Sequence, residues 1–156
     1  MRYNRSRNII IIFTPMYYLI PLSLLIVAQI LKLIIESYRG QFSWNHLLSN
    51  GGMPSSHIAM LSSITTLIAL VNGFNNPLFA LAAALTIVVA WDAVHTRYQI
   101  GYQGKIINRL IKELPDQKEF QYPLLTERVG HTPLEVLAGF VLGVVLTPIL
   151  LYLITF

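Results

Sequence analysis

Two histidines in this chain stand at the mouths of long apolar segments, each beside residues that start helices. The first ends the run Gly51-Gly52-Met53-Pro54-Ser55-Ser56-His57, and the second lies in Gly130-His131-Thr132-Pro133-Leu134-Glu135. Unpaired backbone N–H groups and the helix dipole make a helix start favourable for an anion. An imidazole there can move a proton near neutral pH or attack an electrophilic centre. Ser55 and Ser56 can donate to phosphate oxygens, and Gly51 and Gly52 let the backbone approach closely. His131 and Glu135, four residues apart, would share a helix face, so the carboxylate can fix the imidazole tautomer and stabilise its charge. Thr132-Pro133-Leu134-Glu135 equally fits a capping box with proline at the first helical position, in which Glu135 bonds the Thr132 amide. The sequence leaves these two roles of Glu135 open.

Other charges can join the same chemistry. Seven steps at about 100° per residue return almost to the same helix face, so Lys32 and Arg39 can point into one site. The alternatives are snorkelling to lipid head groups and, for Lys32, a pair with Glu36. Asp92 closes an uncharged apolar run, where a charged side chain usually faces the protein interior with a partner. Arg97 is the candidate partner, or a fork donor to two phosphate oxygens. His95 is a third imidazole of the region, or an interfacial residue.

The elements that must carry these residues follow from composition. Of 156 residues, 54% are hydrophobic and 12% charged, against about a quarter charged in soluble domains. The chain therefore reads as one membrane-embedded domain, residues 1–156, of all-α class. A spanning helix needs roughly 20 mostly apolar residues. Four runs fit or approach this: Asn8 to about Ile35, with kinks expected at Pro15 and Pro21; Pro54 to Val71; Pro77 to Trp91; and Pro133 to Phe156. The first reads as a retained helix rather than a signal peptide. Between Arg97 and Thr132 lies a polar stretch whose part Ile106 to Leu114 is amphipathic, an interfacial helix or a continuation of the third run.

Alternating crossings gather Lys32, Arg39, His57, Asp92, Arg97 and His131 at one membrane face. The positive-inside rule assigns that face to the cytoplasm, since it carries more Lys and Arg than the amino terminus with Arg2, Arg5 and Arg7. Serines and threonines of the second run, and the Gly139–Gly143 pair of the fourth, suit close helix packing; the glycine pair also permits a homodimer. The net charge of +4 fits phospholipid head groups or an anionic substrate, with no basic, aromatic-interleaved domain for nucleic acid. The absence of cysteine excludes disulfides, thiolate metal sites and cysteine nucleophiles.

Taken in order, the motifs resemble those of the type 2 phosphatidic acid phosphatase and vanadium haloperoxidase superfamily: K-x6-R-P, P-S-G-H and S-R-x5-H-x3-D. Lys32-x6-Arg39-Gly40 is similar to the first, Pro54-Ser55-Ser56-His57 to the second, and His131-x3-Glu135 to the core of the third. The chain resembles more closely a divergent bacterial and plant branch, through Ala28-Gln29-Ile30-Leu31-Lys32, Gly51 to His57, Trp91-Asp92-Ala93, Arg97, Gly101, Gln103, Asn108 and Gly130 to Val136. It departs from the superfamily pattern at Gly40, Ser56 and Glu135, and has no S-R pair six residues before His131. Arg97 or Arg128 would have to supply that guanidinium.

The resemblance implies a metal- and cofactor-free phosphatase of a cell or plastid-type membrane, acting on a lipid phosphate or pyrophosphate. His131 would be the nucleophile, Glu135 its orienting carboxylate, and His57 the proton donor to the leaving group. Lys32, Arg39, Ser55, Ser56, Arg97 and Arg128 would hold the phosphate, and Asp92 and Gln103 would have orienting roles. The implied partners are membrane lipids and the phosphorylated lipid substrate. The main alternative is a non-catalytic lipid-phosphate carrier using the same pocket. A metal hydrolase built from His57, His95, His131 and Asp92 lacks any H-E-x-x-H-like spacing, and a haloperoxidase suits a membrane-embedded chain poorly.

Overall fold

A computed structural model describes residues 17–38, 40, 51–115, 122–127 and 129–155. Arg39 and Arg128, along with the amino-terminal arginines and Pro15, lie outside the described residues. The described residues form five helices: α1 (Leu19–Tyr38), α2 (Ser56–Asn72), α3 (Pro77–Val94), α4 (Thr96–Glu113) and α5 (Pro133–Thr155). No strand occurs among the described residues. The all-α membrane bundle expected from the sequence is the fold observed.

Local chemistry sets the ends. Asn76 caps α3 by accepting the Leu78 N–H at 2.8 Å, with Pro77 in the first turn. Gly73 ends α2 at φ 83°, its N–H returned to the Ala69 carbonyl. Pro21 does not act as the interior kink expected from the sequence. Because α1 begins at Leu19, Pro21 falls in the first turn, where backbone N–H groups have no helical partner to lose.

After α3 the amphipathic segment continues the third run, the second of its two expected readings, but the helix starts earlier than expected. Helix resumes at Thr96, ten residues before the amphipathic segment, so α3 and α4 form one 37-residue run interrupted only at His95. Gly101 and Gly104, poor helix formers, hide this helix from propensity. They lie on its buried face.

Among the described residues, three stretches are long and apolar enough to cross a membrane: α1, the α3–α4 run and α5. The fourth apolar helix, α2, has 17 residues and is the centre of the bundle, packed on α5, α1 and α3. Its polar content is spent inward, as the packing reading of its hydroxyls expects. Thr147 donates to Ser63 at 2.7 Å, and Thr65 and Thr86 are bonded at 2.9 Å. Large apolar side chains face outward instead: Leu81 and Trp91 on α3 are each 67% exposed. Such an inverted surface suits hydrocarbon surroundings, where helices associate through small and polar contacts.

The Gly139–Gly143 pair is used within the bundle. Both glycines are buried, Gly139 against the Ser55 backbone and Gly143 against Ala59, Ser62 and Ser63. The antiparallel succession of helices then places the second half of α1 and the starts of α2 and α5 beside the α3–α4 junction, at one end of the bundle.

Candidate active site

The site is built around the first turn of α5. His131 precedes that helix, and its N–H donates to the Ala93 carbonyl at the end of α3 (3.0 Å). Gly130 makes this approach possible. Its φ of 88° disfavours other residues, and a Cβ there would stand 2.5 Å from Tyr98 N and 2.7 Å from Arg97 C. The His131 side chain is buried, and its Nδ1 lies 3.1 Å from Glu135 Oε2. A carboxylate only accepts, so this bond puts the proton on Nδ1 and leaves the Nε2 lone pair for a ligand.

Glu135 makes both of the contacts that the sequence left open. The same Oε2 receives the Thr132 N–H at 3.1 Å, while the Glu135 N–H reaches Thr132 Oγ1 at 3.4 Å, completing a capping box. The Gly52 amide also donates to this carboxylate, and the Glu135 carbonyl accepts the Ser55 N–H at 3.0 Å. One residue thus fastens the starts of α2 and α5 together.

Gly52 is in turn pressed onto α1. At φ 105°, a Cβ there would stand 2.7 Å from Lys32 Cε and 2.8 Å from Glu36 Oε1. Lys32 and Glu36 are both buried, one helical turn apart on the same face. Glu36 belongs to this wall of the site. Its only signal in the sequence was its i+4 spacing from Lys32.

A cavity of about 220 Å³ opens beside these groups. Ser55, His57, Arg97 and His131 line its polar part; Ile58, Met60, Leu61 and Val89 line the rest. Ser55 is 1% exposed, caps nothing with its side chain, and its Oγ has no hydrogen-bond partner among the described residues. A buried hydroxyl costs stability unless bonded, so this one is available to a ligand. Ser56 turns the other way: its Oγ accepts from Gln29 Nε2 on α1 at 3.2 Å and it does not line the cavity.

Arg97 begins α4 and is held through Nε by Asp92 Oδ2 at 2.7 Å, so the paired reading of these residues is the observed one. That grip leaves the two terminal guanidinium nitrogens for an anion. His57, on α2 and outside the three spanning stretches, faces Arg97, His131 and Lys32. Crowding by the surrounding protein, followed by the positive charge of Arg97 and then by the neighbouring His131 ring and the Lys32 ammonium, holds its imidazole pKa below the ordinary value.

Other expected residues stand apart. His95 is stacked on Trp91, ring centroids 5.2 Å apart, and does not line the cavity. Gln103 is exposed on α4, with no hydrogen bond among the described residues. The sequence reading missed Gly52 as a donor to Glu135, Ala93 as the acceptor from His131, and the apolar lining by Met60, Leu61 and Val89. Nothing in the apolar side chains themselves marks which of them face a cavity and which face lipid or a neighbouring helix.

Fold and site together define an integral membrane protein, all-helical among the described residues, with two histidines and an arginine around a mostly apolar cavity. Over residues 14–146 the sequence matches the Divergent PAP2 family, and the chain belongs to it. It is 35% identical over 144 residues to a Bacillus subtilis (strain 168) protein named "Uncharacterized membrane protein YuiD", a match covering 84% of this chain and 90% of that one. No solved structure matches the chain.

Proposed function

We propose that this protein is a membrane-embedded, metal-independent phosphatase hydrolysing a lipid phosphate or pyrophosphate through a phosphohistidine. The observation that carries the reading is His131, bonded through Nδ1 to Glu135 beside a cavity with cationic and hydroxyl groups at one part and aliphatic walls at the other. That division suits a phosphate joined to an acyl or prenyl chain.

In the first step His131 Nε2 attacks phosphorus, and the bond from phosphorus to the ester (or bridging) oxygen breaks. His57 gives its proton to the departing oxygen. Glu135 stabilises the imidazolium. Arg97, the Ser55 hydroxyl and, from behind, Lys32 offset charge on the equatorial oxygens, the main protein contribution to phosphoryl transfer. In the second step His57 takes a proton from water, water oxygen attacks phosphorus, the P–N bond breaks and phosphate leaves. Arg39 and Arg128 are assigned to the phosphate by the motif resemblance alone. Ser56, bonded to Gln29, contributes through its place at the start of α2.

The site-bearing end also carries Lys105, Arg109 and Lys112 of α4, which favours a cytoplasmic orientation. Because the chain has no cysteine, single introduced cysteines labelled from either side report that orientation directly.

The decisive experiment is phosphate release by purified protein from a panel of lipid phosphates and pyrophosphates. The expected result is turnover that survives chelator, is blocked by vanadate and disappears in His131→Ala. No turnover on any member of the panel, or full activity in His131→Ala, overturns the proposal. Lipid-phosphate binding that persists in an inactive His131→Ala protein but is lost in Arg97→Ala, with no turnover by the parent, is the signature of a carrier.

A further inference from the structure

The described part of the segment leading to His131, Tyr122–Glu127 and Val129, lies along α4. The Asn108 side chain, 5% exposed, grips it with three hydrogen bonds. Nδ2 donates to the Leu125 carbonyl at 2.8 Å and to Glu127 Oε1 at 2.9 Å, and Oδ1 accepts the Leu125 N–H at 2.9 Å. The amide therefore pairs with both backbone groups of one residue, which fixes the register of the segment as well as its contact. Only a side chain holding a donor and an acceptor together can do this. The backbone lies close because α4 is bare beneath it: a Cβ on Gly101 would stand 2.6 Å from the Glu127 carbonyl oxygen, and one on Gly104 3.1 Å from that of Thr126.

From Val129 the chain turns through Gly130 into His131. His131 lies before the first residue of α5, so the preceding segment helps to place its ring. We propose that Asn108 is a positioning residue for His131, acting through the Leu125–Gly130 segment without touching the cavity. The proposal rests on the reading of His131 as the nucleophile. A displacement of about 1 Å at a reacting group can cost on the order of a hundredfold in rate.

The test uses the full chain in detergent or nanodiscs. Asn108→Asp keeps size and an acceptor for the Leu125 N–H, loses both donations, and opposes the Glu127 carboxylate. Hydrogen exchange should accelerate across residues 122–131, including the His131 amide bonded to Ala93, while α2 and the body of α5 keep their protection. On a lipid phosphate, kcat should fall about ten- to a hundredfold with KM little changed. Adding Glu127→Gln to Asn108→Asp supplies an amide donor to the introduced carboxylate and should restore part of both losses, a recovery that general destabilisation would not give. If Asn108→Asp does not fold, Glu127→Ala, which removes one bond, should show smaller shifts in the same direction.

Unchanged exchange at His131 overturns the proposal, as does unchanged kcat with an opened segment. A parent protein without turnover defeats the phosphatase reading and with it the catalytic role of Asn108. The exchange measurement still reports whether the clasp holds His131.

Discussion

Glu135 Oε2 stands 3.1 Å from His131 Nδ1 and 3.1 Å from the Thr132 amide nitrogen. One oxygen both ends a helix and orients an imidazole. Capping box and histidine–carboxylate pair are therefore the same local structure, read from two sides. The amide of Thr132 fixes the carboxylate, and the fixed carboxylate fixes the ring. The Gly52 amide adds a third donor, so the geometry of His131 depends on the loop before α2 as well as on α5.

The two functions of Glu135 separate by substitution. Glu135→Gln keeps an acceptor for the cap but loses the charge that stabilises a histidinium. Thermal stability should change by less than about 1 kcal/mol, within the usual cost of a lost cap. Phosphate release should fall on the order of a hundredfold or more, because a full charge opposite the developing imidazolium is lost. Parallel melting curves and initial rates check this; equal losses in both would show that Glu135 serves the helix alone.

The aliphatic part of the cavity makes a prediction about substrate. Met60 and Leu61 line it about one helical turn further along α2 than His57. Leu61→Trp should fill it and raise KM for a long-chain lipid phosphate by roughly tenfold, the equivalent of losing burial for about two methylenes. A short-chain phosphate ester should keep its KM. An equal rise for both substrates would place the lipid chain elsewhere.

What the sequence disclosed divides along physical lines. Apolar runs, proline at helix starts, and antiparallel crossings were local signals, and they placed Lys32, His57, Arg97 and His131 at one end of the bundle. The contacts between those elements were not local. Gly52 pressed onto Lys32 and Glu36, Ser55 bonded to Glu135, and Ser56 turned toward Gln29 each depend on how α1, α2 and α5 meet. α4 was obscured for another reason: its glycines lower helix propensity so that the backbone before His131 can lie close, and tertiary packing outweighs the propensity loss.

The electrostatics of His57 can be read without any substrate. Arg97 is the leading charge that lowers its pKa, after crowding by the surrounding protein. Arg97→Gln removes a cation that opposes protonation, so the titration midpoint should move upward. It should stop below that of a free imidazole, because the crowding, the neighbouring His131 ring and the Lys32 charge remain. The chain has four histidines, and a His57→Asn spectrum assigns the relevant NMR signal. A downward shift in Arg97→Gln would mean that Arg97 does not face His57. In activity, the same change should extend the pH range over which His57 is protonated as a proton donor, while weakening vanadate binding through loss of the guanidinium.

Gly139 and Gly143 offer a comparison at two depths of one interface. Both lie on α5 against α2, but Gly139 meets Ser55 at the site, and Gly143 meets Ala59 and Ser62 one turn deeper. Alanine at either position overpacks the contact and should cost about 1–3 kcal/mol. The consequences for activity should differ. Gly139→Ala pushes against the Ser55 backbone, whose N–H is bonded to the Glu135 carbonyl, and so displaces the start of α2 from the residue whose side chain holds His131. Gly143→Ala strains the bundle below the site and leaves that bond in place. At matched loss of thermal stability, Gly139→Ala should therefore show the larger drop in kcat. If the two lose activity in proportion to stability, the α2–α5 seam supports the fold without tuning the site, and the Ser55–Glu135 bond is dispensable for placing His131.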